Sequence, residues 1–292
     1  MFAIIGIVVV FGSILGGFMM EKGPIPVLMQ PAELVIIGGA AAGTMLIANP
    51  LGLIVRIFKS ILGTIGGSKY NKAVYLEALK MLNDIFTFAR KSGMAKLEED
   101  VENPEKSAVF SKYPKFVKDH HMLHFVCDTL RTAVAGVVAP HDLDEIIEKD
   151  IDIHHAEASA PARALAMVAD ALPGLGIVAA VLGVVITMSA LGGPPEEIGH
   201  KVAAALVGTF LGILLSYGVV APIASNLEKI IDAEGQFYQM LRAGLMAFAK
   251  GMAPIIAVEF SRRAIPHQLR PTFKEMETAC KGGAAAPAAK AA

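Results

Sequence analysis

Apolar positions along this chain follow two different patterns. Residues 1–20, 34–55, 171–195 and 202–227 carry no charged side chain at all. Elsewhere apolar residues recur at helical spacing among charged ones, as in Leu79, Leu82, Ile85, Phe86 and Ala89. A hydrocarbon core about 30 Å thick needs about 20 helical residues at a rise of about 1.5 Å each. The charge-free stretches therefore predict transmembrane helices at 1–20, 34–55, 171–191 and 202–225. The amphipathic remainder predicts a helical cytoplasmic domain at 56–170 and a helical C-terminal region at 226–281. The segment 282–292 is low in complexity and is expected to be disordered. No stretch alternates in the manner of a strand. The expected fold is an all-α integral membrane protein whose four transmembrane helices are interrupted, between the second and third, by a helical cytoplasmic domain.

Punctuation supports this division. Asn103-Pro104 and Tyr113-Pro114 break the inserted domain, and Ala139 to Asp142 forms a turn leading into a helix. Beyond it no breaker other than Pro161 precedes the third span, so one long helix is expected to enter the membrane. The fourth span likewise can continue past Pro222 as far as Lys250. The first span is not read as a cleaved leader, because it lacks a basic start and Glu21-Lys22 is no small-residue cleavage site.

Charge sets the orientation. Only Lys22 and Lys201 fall in the short connections between spans one and two and spans three and four, leaving 24 of the 26 basic residues on the other side. Arg56, Lys59, Lys69 and Lys72 follow the second span with no acid before Glu77, a strong positive-inside signal. Both termini are thus expected in the cytoplasm. Composition agrees, with 54% hydrophobic and 18% charged residues and a mean hydropathy of +0.55. A net charge of −1 supplies no basic stripe for nucleic acid. Cys127 and Cys280 lie on the cytoplasmic side, where a disulfide is not expected, and they lack metal-type spacing.

Catalytic signatures are absent: there is no Walker A sequence, no G-x-S-x-G and no H-E-x-x-H, so neither an enzyme nor an organic cofactor is expected. The run from Gly38 to Gly43 echoes a nucleotide loop but sits inside a span, where small residues serve close helix approach. His120 and His124 have the i, i+4 spacing of two ligands, with Cys127 nearby, yet a closed site needs further ligands. The acidic run from Asp142 to Glu157 reads as a solvated face.

Spans three and four are the informative ones. Gly176, Ala179, Ala180 and Gly183 in one, and Ala205, Gly208 and Gly212 in the other, form faces fit for tight helix packing. Thr209, Ser216 and Tyr217, with Thr187 from the third span, supply hydroxyls that either line a narrow wet path or bond within the membrane. Pro173 and Pro222 fall at equal cytoplasmic depth, as hinges or as ordinary helix-end prolines. Membrane ion carriers need an ionisable group inside the bilayer. This chain places Glu33 and Asp170 only at span ends. Moving ions would therefore require a second protein to bring the acid.

Several segments together resemble one family, the A subunit of the bacterial flagellar stator. They are Gln30–Ile37 (QPAELVII), Gly176–Ala180 (GIVAA), Gly208–Leu215 (GTFLGILL), Ala257–Phe260 (AVEF), and Leu97-Glu98 ahead of Glu102-Asn103-Pro104. The resemblance runs nearly end to end. It implies a homopentamer of this chain around a dimer of a MotB-type single-span B subunit, whose membrane aspartate binds the ion, in the bacterial inner membrane. It implies that Thr209, Ala180, Tyr217, Ser216 and Thr187 belong to the ion path and that Pro173 and Pro222 couple conformation. Arg90 and Glu98 match the family's charged pair that engages the rotor switch protein, of FliG type. Glu99 departs from the pattern, standing where relatives often carry a basic residue. Ala180 stands where sodium-driven relatives tend to carry threonine, so the resemblance implies H+ rather than Na+ as the transported ion. The nearest alternative is an ExbB- or TolQ-type energiser of an envelope process, which has three spans and no rotor motif.

Overall fold

The computed structural model describes residues 2–189 and 191–282. It is helical, with no strand among the described residues. The helices are α1 (Phe2–Met20), α2 (Ile25–Leu28), α3 (Pro31–Ala48), α4 (Leu51–Thr64), α5 (Lys72–Ser92), α6 (Met94–Glu102), α7 (Pro114–Val117), α8 (His120–Ala135), α9 (Pro140–Met188), α10 (Pro195–Leu215), α11 (Ala221–Ala249), α12 (Pro254–Ala264) and α13 (Phe273–Cys280). A π-helical turn, Ser216–Val220, joins α10 to α11. The chain divides into two compact units, one made of Met1–Gly67 with Glu157–Ile231 and the other of Ser68–Ala156 with Asp232–Ala292.

The first unit holds the apolar stretches. Among the described residues, four helical segments are long and apolar enough to cross a membrane: Phe2–Met20, Ile25–Ala48, Pro140–Met188 and Pro195–Ala249. The last two carry the expected continuation beyond their spans, α9 running for 49 residues through Pro161 and Pro173. The second span is shorter than the charge-free stretch that marks it. Its helix stops at Ala48 rather than reaching Val55, because Pro50 disfavours helical geometry at Asn49, which is extended at φ −134° and ψ 143°.

The residues beyond that break form α4, a helix with three faces. Ile57 and Thr64 are buried, and Ile57 packs with Ala164, Leu165 and Ala224. Leu51, Val55, Phe58 and Leu62 are exposed and apolar. Arg56 and Lys59 occupy the edge between those two faces by the 3.6-residue repeat. The Arg56 guanidinium donates to the Glu157 carbonyl at 2.9 Å, which ties α4 to α9 within this unit.

The second unit has an ordinary globular core. Tyr75, Phe86, Phe110 and Phe237 are fully buried, and Phe86 stacks on Phe248 with ring centroids 4.4 Å apart. The α5 face predicted from periodicity is the buried one: Leu79, Leu82, Ile85, Phe86 and Ala89 all point inward. Asn71 caps α5 by accepting from the Ala73 and Val74 amides. Thr272 and Glu275 form a reciprocal capping box on α13. The segment 283–292, expected to be disordered, lies outside the described residues.

Candidate functional site

The crossing of α9 and α10 is built from residues without side chains to separate the backbones. A methyl on Gly176 would stand 2.8 Å from the Gly208 carbonyl oxygen and 3.0 Å from the Gly212 Cα. One on Gly183 would lie 2.7 Å from the Ala205 Cβ, and one on Gly212 would lie 2.7 Å from the Leu172 carbonyl oxygen. Backbone atoms cannot swing aside, so glycine is required where the two helices touch. The small faces expected of spans three and four thus pack on each other. Gly38, Gly39 and Gly43 of α3 have open space around them. In that run only Ala41 is buried, so the close approach expected there is not made within this chain.

The four hydroxyls divide. Thr187 is buried and donates to the Gly183 carbonyl at 2.8 Å, a bond inside its own helix. Ser216 is buried and donates to the Ala169 carbonyl at 2.7 Å, across to α9. That carbonyl lies four residues before Pro173, which has no N–H to offer it. Both hydroxyls therefore satisfy backbone carbonyls. Tyr217 is 69% exposed. It lines an 810 Å³ cleft with α1, residues 64–67 and Pro222, away from the glycine crossing. Thr209 is half-buried and has no hydrogen-bond partner among the described residues. It directly follows Gly208, where a methyl would come within 3.1 Å of the Ala180 amide nitrogen. Of the five residues expected on the path, Ala180 sets its backbone against Gly208, the chain neighbour of Thr209, whose hydroxyl has no partner among the described residues.

Both prolines lie where the helices depart from regular bonding. Pro222 would clash with a carbonyl four residues back, and the chain widens there into the π turn, with the Ala221 amide bonded to Ser216.

A carboxylate lies at this crossing that sequence reasoning placed only at a span end. Glu33 is 7% exposed, and its Oε2 is buried without a hydrogen-bond partner. Pro31 starts α3, and both α2 and α3 pack on α10, which turns Glu33 inward. The available signal was an acid two residues after a proline at the head of an otherwise uncharged run. Asp170, by contrast, is exposed.

In the second unit, Arg90 and Glu98 are exposed on α5 and α6, on either side of Gly93, whose φ of 87° turns the chain between the helices. Neither forms an ion pair among the described residues, although Arg90 makes a long bond, 3.5 Å, to the Gly251 carbonyl. Other charges there are paired. Glu259 takes bonds from Arg262 at 2.6 Å and 2.7 Å and from Arg263 at 2.8 Å, and the Arg262 guanidinium holds its carboxyl below the usual range. Burial works against ionisation of Asp119, but the Lys69 ammonium at 2.6 Å and the Met122 amide outweigh it and its carboxyl is also held low. His120, His124 and Cys127 line one 260 Å³ cleft. No group of three His, Cys, Asp or Glu among the described residues is arranged to hold a metal.

Comparison with known proteins matches this geometry to a family. Residues 4–93 match the motility protein A N-terminal model, and residues 118–240 match the MotA/TolQ/ExbB proton channel family. The chain is 40% identical to motility protein A of Salmonella typhimurium over 277 residues, covering 95% of this chain and 94% of the relative. It is 35% identical to chemotaxis protein LafT of Vibrio parahaemolyticus over 94% of this chain and 96% of the relative. In fold it is similar to the flagellar MotAB stator complex of Bacillus subtilis, with a TM-score of 0.73 at 23% identity, covering 91% of this chain and 96% of that one. The C. jejuni MotAB structure gives the same TM-score at 17% identity, covering 91% of this chain and 95% of that one. An all-helical chain with four membrane-length helices, a glycine-lined crossing and this extent of identity belongs to the motility protein A family, a family of ion-channel subunits rather than enzymes.

Proposed function

We propose that this chain is the A-type subunit of a flagellar motor stator, forming with a single-span MotB-type subunit a proton path that converts ion flow into torque on the rotor. The observation that carries the reading is the α9–α10 crossing, where the Ala180 backbone lies against Gly208 and the adjoining Thr209 hydroxyl has no hydrogen-bond partner among the described residues. Alanine at 180 adds no second hydroxyl for sodium, which supports protons. The partner helix brings the aspartate. This chain brings the small-residue wall and Thr209.

The chain assembles as a pentamer around two copies of the partner in the cytoplasmic membrane, with both termini inside. The large exposed apolar side chains of α1, and Val178, Val181, Val184 and Val185 of α9, suit burial against lipid and neighbouring helices. A proton arriving from outside neutralises the partner's carboxylate and removes the attraction that held one arrangement. Each elementary charge crossing about 100 mV releases about 2.3 kcal/mol. That suffices to bias packed helices, not to refold them, and Pro173 and the π turn before Pro222 are where helix direction changes at least cost. The unpaired Arg90 and Glu98 meet complementary charges on the rotor's switch protein.

Co-expression with a plug-deleted single-span partner tests the reading. Proton leak should appear only when both proteins are present. Absence of partner-dependent leak in a complex that assembles would overturn it.

A further inference from the structure

Resting on the proton-path reading, we propose that Glu33 is a second proton-binding carboxyl of the path, supplied by this chain and standing between outer solvent and the partner's acid. Its position carries the argument. The side chain is more than nine-tenths buried, and Oε2 has neither solvent nor a hydrogen-bond partner. That oxygen fills the space which the missing side chain of Gly208 leaves. A methyl on Gly208 would lie 2.6 Å from Oε2, 3.1 Å from the Ala179 Cβ and 3.1 Å from the Ala180 nitrogen. The carboxyl therefore enters the junction of α3, α9 and α10 at Gly208.

Gly208 lies about 9 Å along α10 from Val202, the first residue of its uncharged stretch, and Ala179 about 14 Å from the Met188 end of α9, at about 1.5 Å per residue. No counterion pairs with Glu33 among the described residues. Between Lys201 and Tyr217 α10 has no titratable residue. The same holds for α9 between Asp170 and Met188, and for α2 and the rest of α3. An isolated carboxyl in an apolar membrane site is costly to ionise, and such groups mark proton relays. An outer hydronium gives its proton to the Glu33 carboxylate, leaving water and a neutral acid. That acid passes the same proton, directly or through water, to the carboxylate of the partner helix, which regenerates Glu33. The O–H bonds broken and formed balance at each step.

The test uses the assembled two-protein complex, with the partner's plug removed, in vesicles carrying a pH-sensitive dye. Glu33→Gln keeps size and hydrogen-bonding capacity but cannot exchange a proton in this range. It should lower flux on the order of a hundredfold, the low end for a positioned proton-transfer group, with normal co-purification of the partner. Glu33→Asp, which withdraws the carboxyl from Gly208, should retain part of the flux with a shifted dependence on outer pH. A Gln variant with undiminished flux overturns the inference while leaving the proposed function standing. Should the Gln variant fail to assemble, an Asp variant with an unchanged pH profile overturns it equally. Wild-type complex without partner-dependent flux overturns the proposed function, and this inference falls with it.

Discussion

The Ser216 hydroxyl donates to the Ala169 carbonyl at 2.7 Å, replacing the backbone bond that Pro173 cannot make. One helix thus satisfies the break in its neighbour. Ser216→Ala should leave that carbonyl buried and unpaired, at about 1–3 kcal/mol. Pro173→Ala restores an amide donor in α9. The double variant should therefore lose less thermal stability in detergent than the sum of the single losses. Strict additivity would sever the link between the two residues.

Gly176 and Gly212 tolerate no methyl, because backbone of the opposite helix fills the space. Alanine at either position should push α9 and α10 apart and cost about 1–3 kcal/mol, as overpacking does. Melting of the purified complex, read beside motor speed, checks this. An unchanged midpoint for both variants would contradict the crossing geometry.

Arg90 and Glu98 are exposed and free of ion pairs among the described residues. Reversing both charges should abolish swimming while membrane insertion and stator assembly persist. Normal torque from the double reversal would remove these residues from the rotor contact.

Acid stability has a specific source in Glu259. Arg262 first, and then Arg263, lower its folded-state pKa below the ordinary 4.5. A depressed carboxylate contributes stability that is present above the unfolded value and lost as pH falls through the folded one. Wild type should therefore lose stability below about pH 4.5 more steeply than Glu259→Gln, which should already be weaker at pH 7. Parallel stability curves for the two would refute the assignment.

Burial pushes the Cys127 thiol up to about 12 and that of Cys280 up to about 11. Both stay protonated at neutral pH and are poor nucleophiles. Maleimide labelling of the folded complex should be slow, with the partly exposed Cys280 reacting before the buried Cys127. Fast labelling of Cys127 would indicate that the α8 core opens.

The two kinds of text in this chain differ in how local their information is. Four charge-free runs marked the membrane helices, because lipid excludes charge at every position of a span and no distant partner is needed to say so. The inward face of α5 was equally plain from spacing alone. The end of the second span was written locally in Asn49-Pro50, but hydropathy outvoted it. Glycine spacing showed that spans three and four pack, because absent side chains are recorded in the sequence itself.

What only the tertiary structure decided is which polar group meets which neighbour. Ser216 reaches a carbonyl 47 residues away in the chain, whereas Tyr217, beside it, lines a cleft with α1. The inward aim of Glu33 depends on α2 and α3 packing on α10, contacts between segments far apart in sequence. Period and composition fix the faces of a helix, whereas axial offset and rotation between helices are set by packing. Burial of the Glu33 carboxyl against Gly208 is such a packing outcome, not readable from the position of Glu33 at the head of its span.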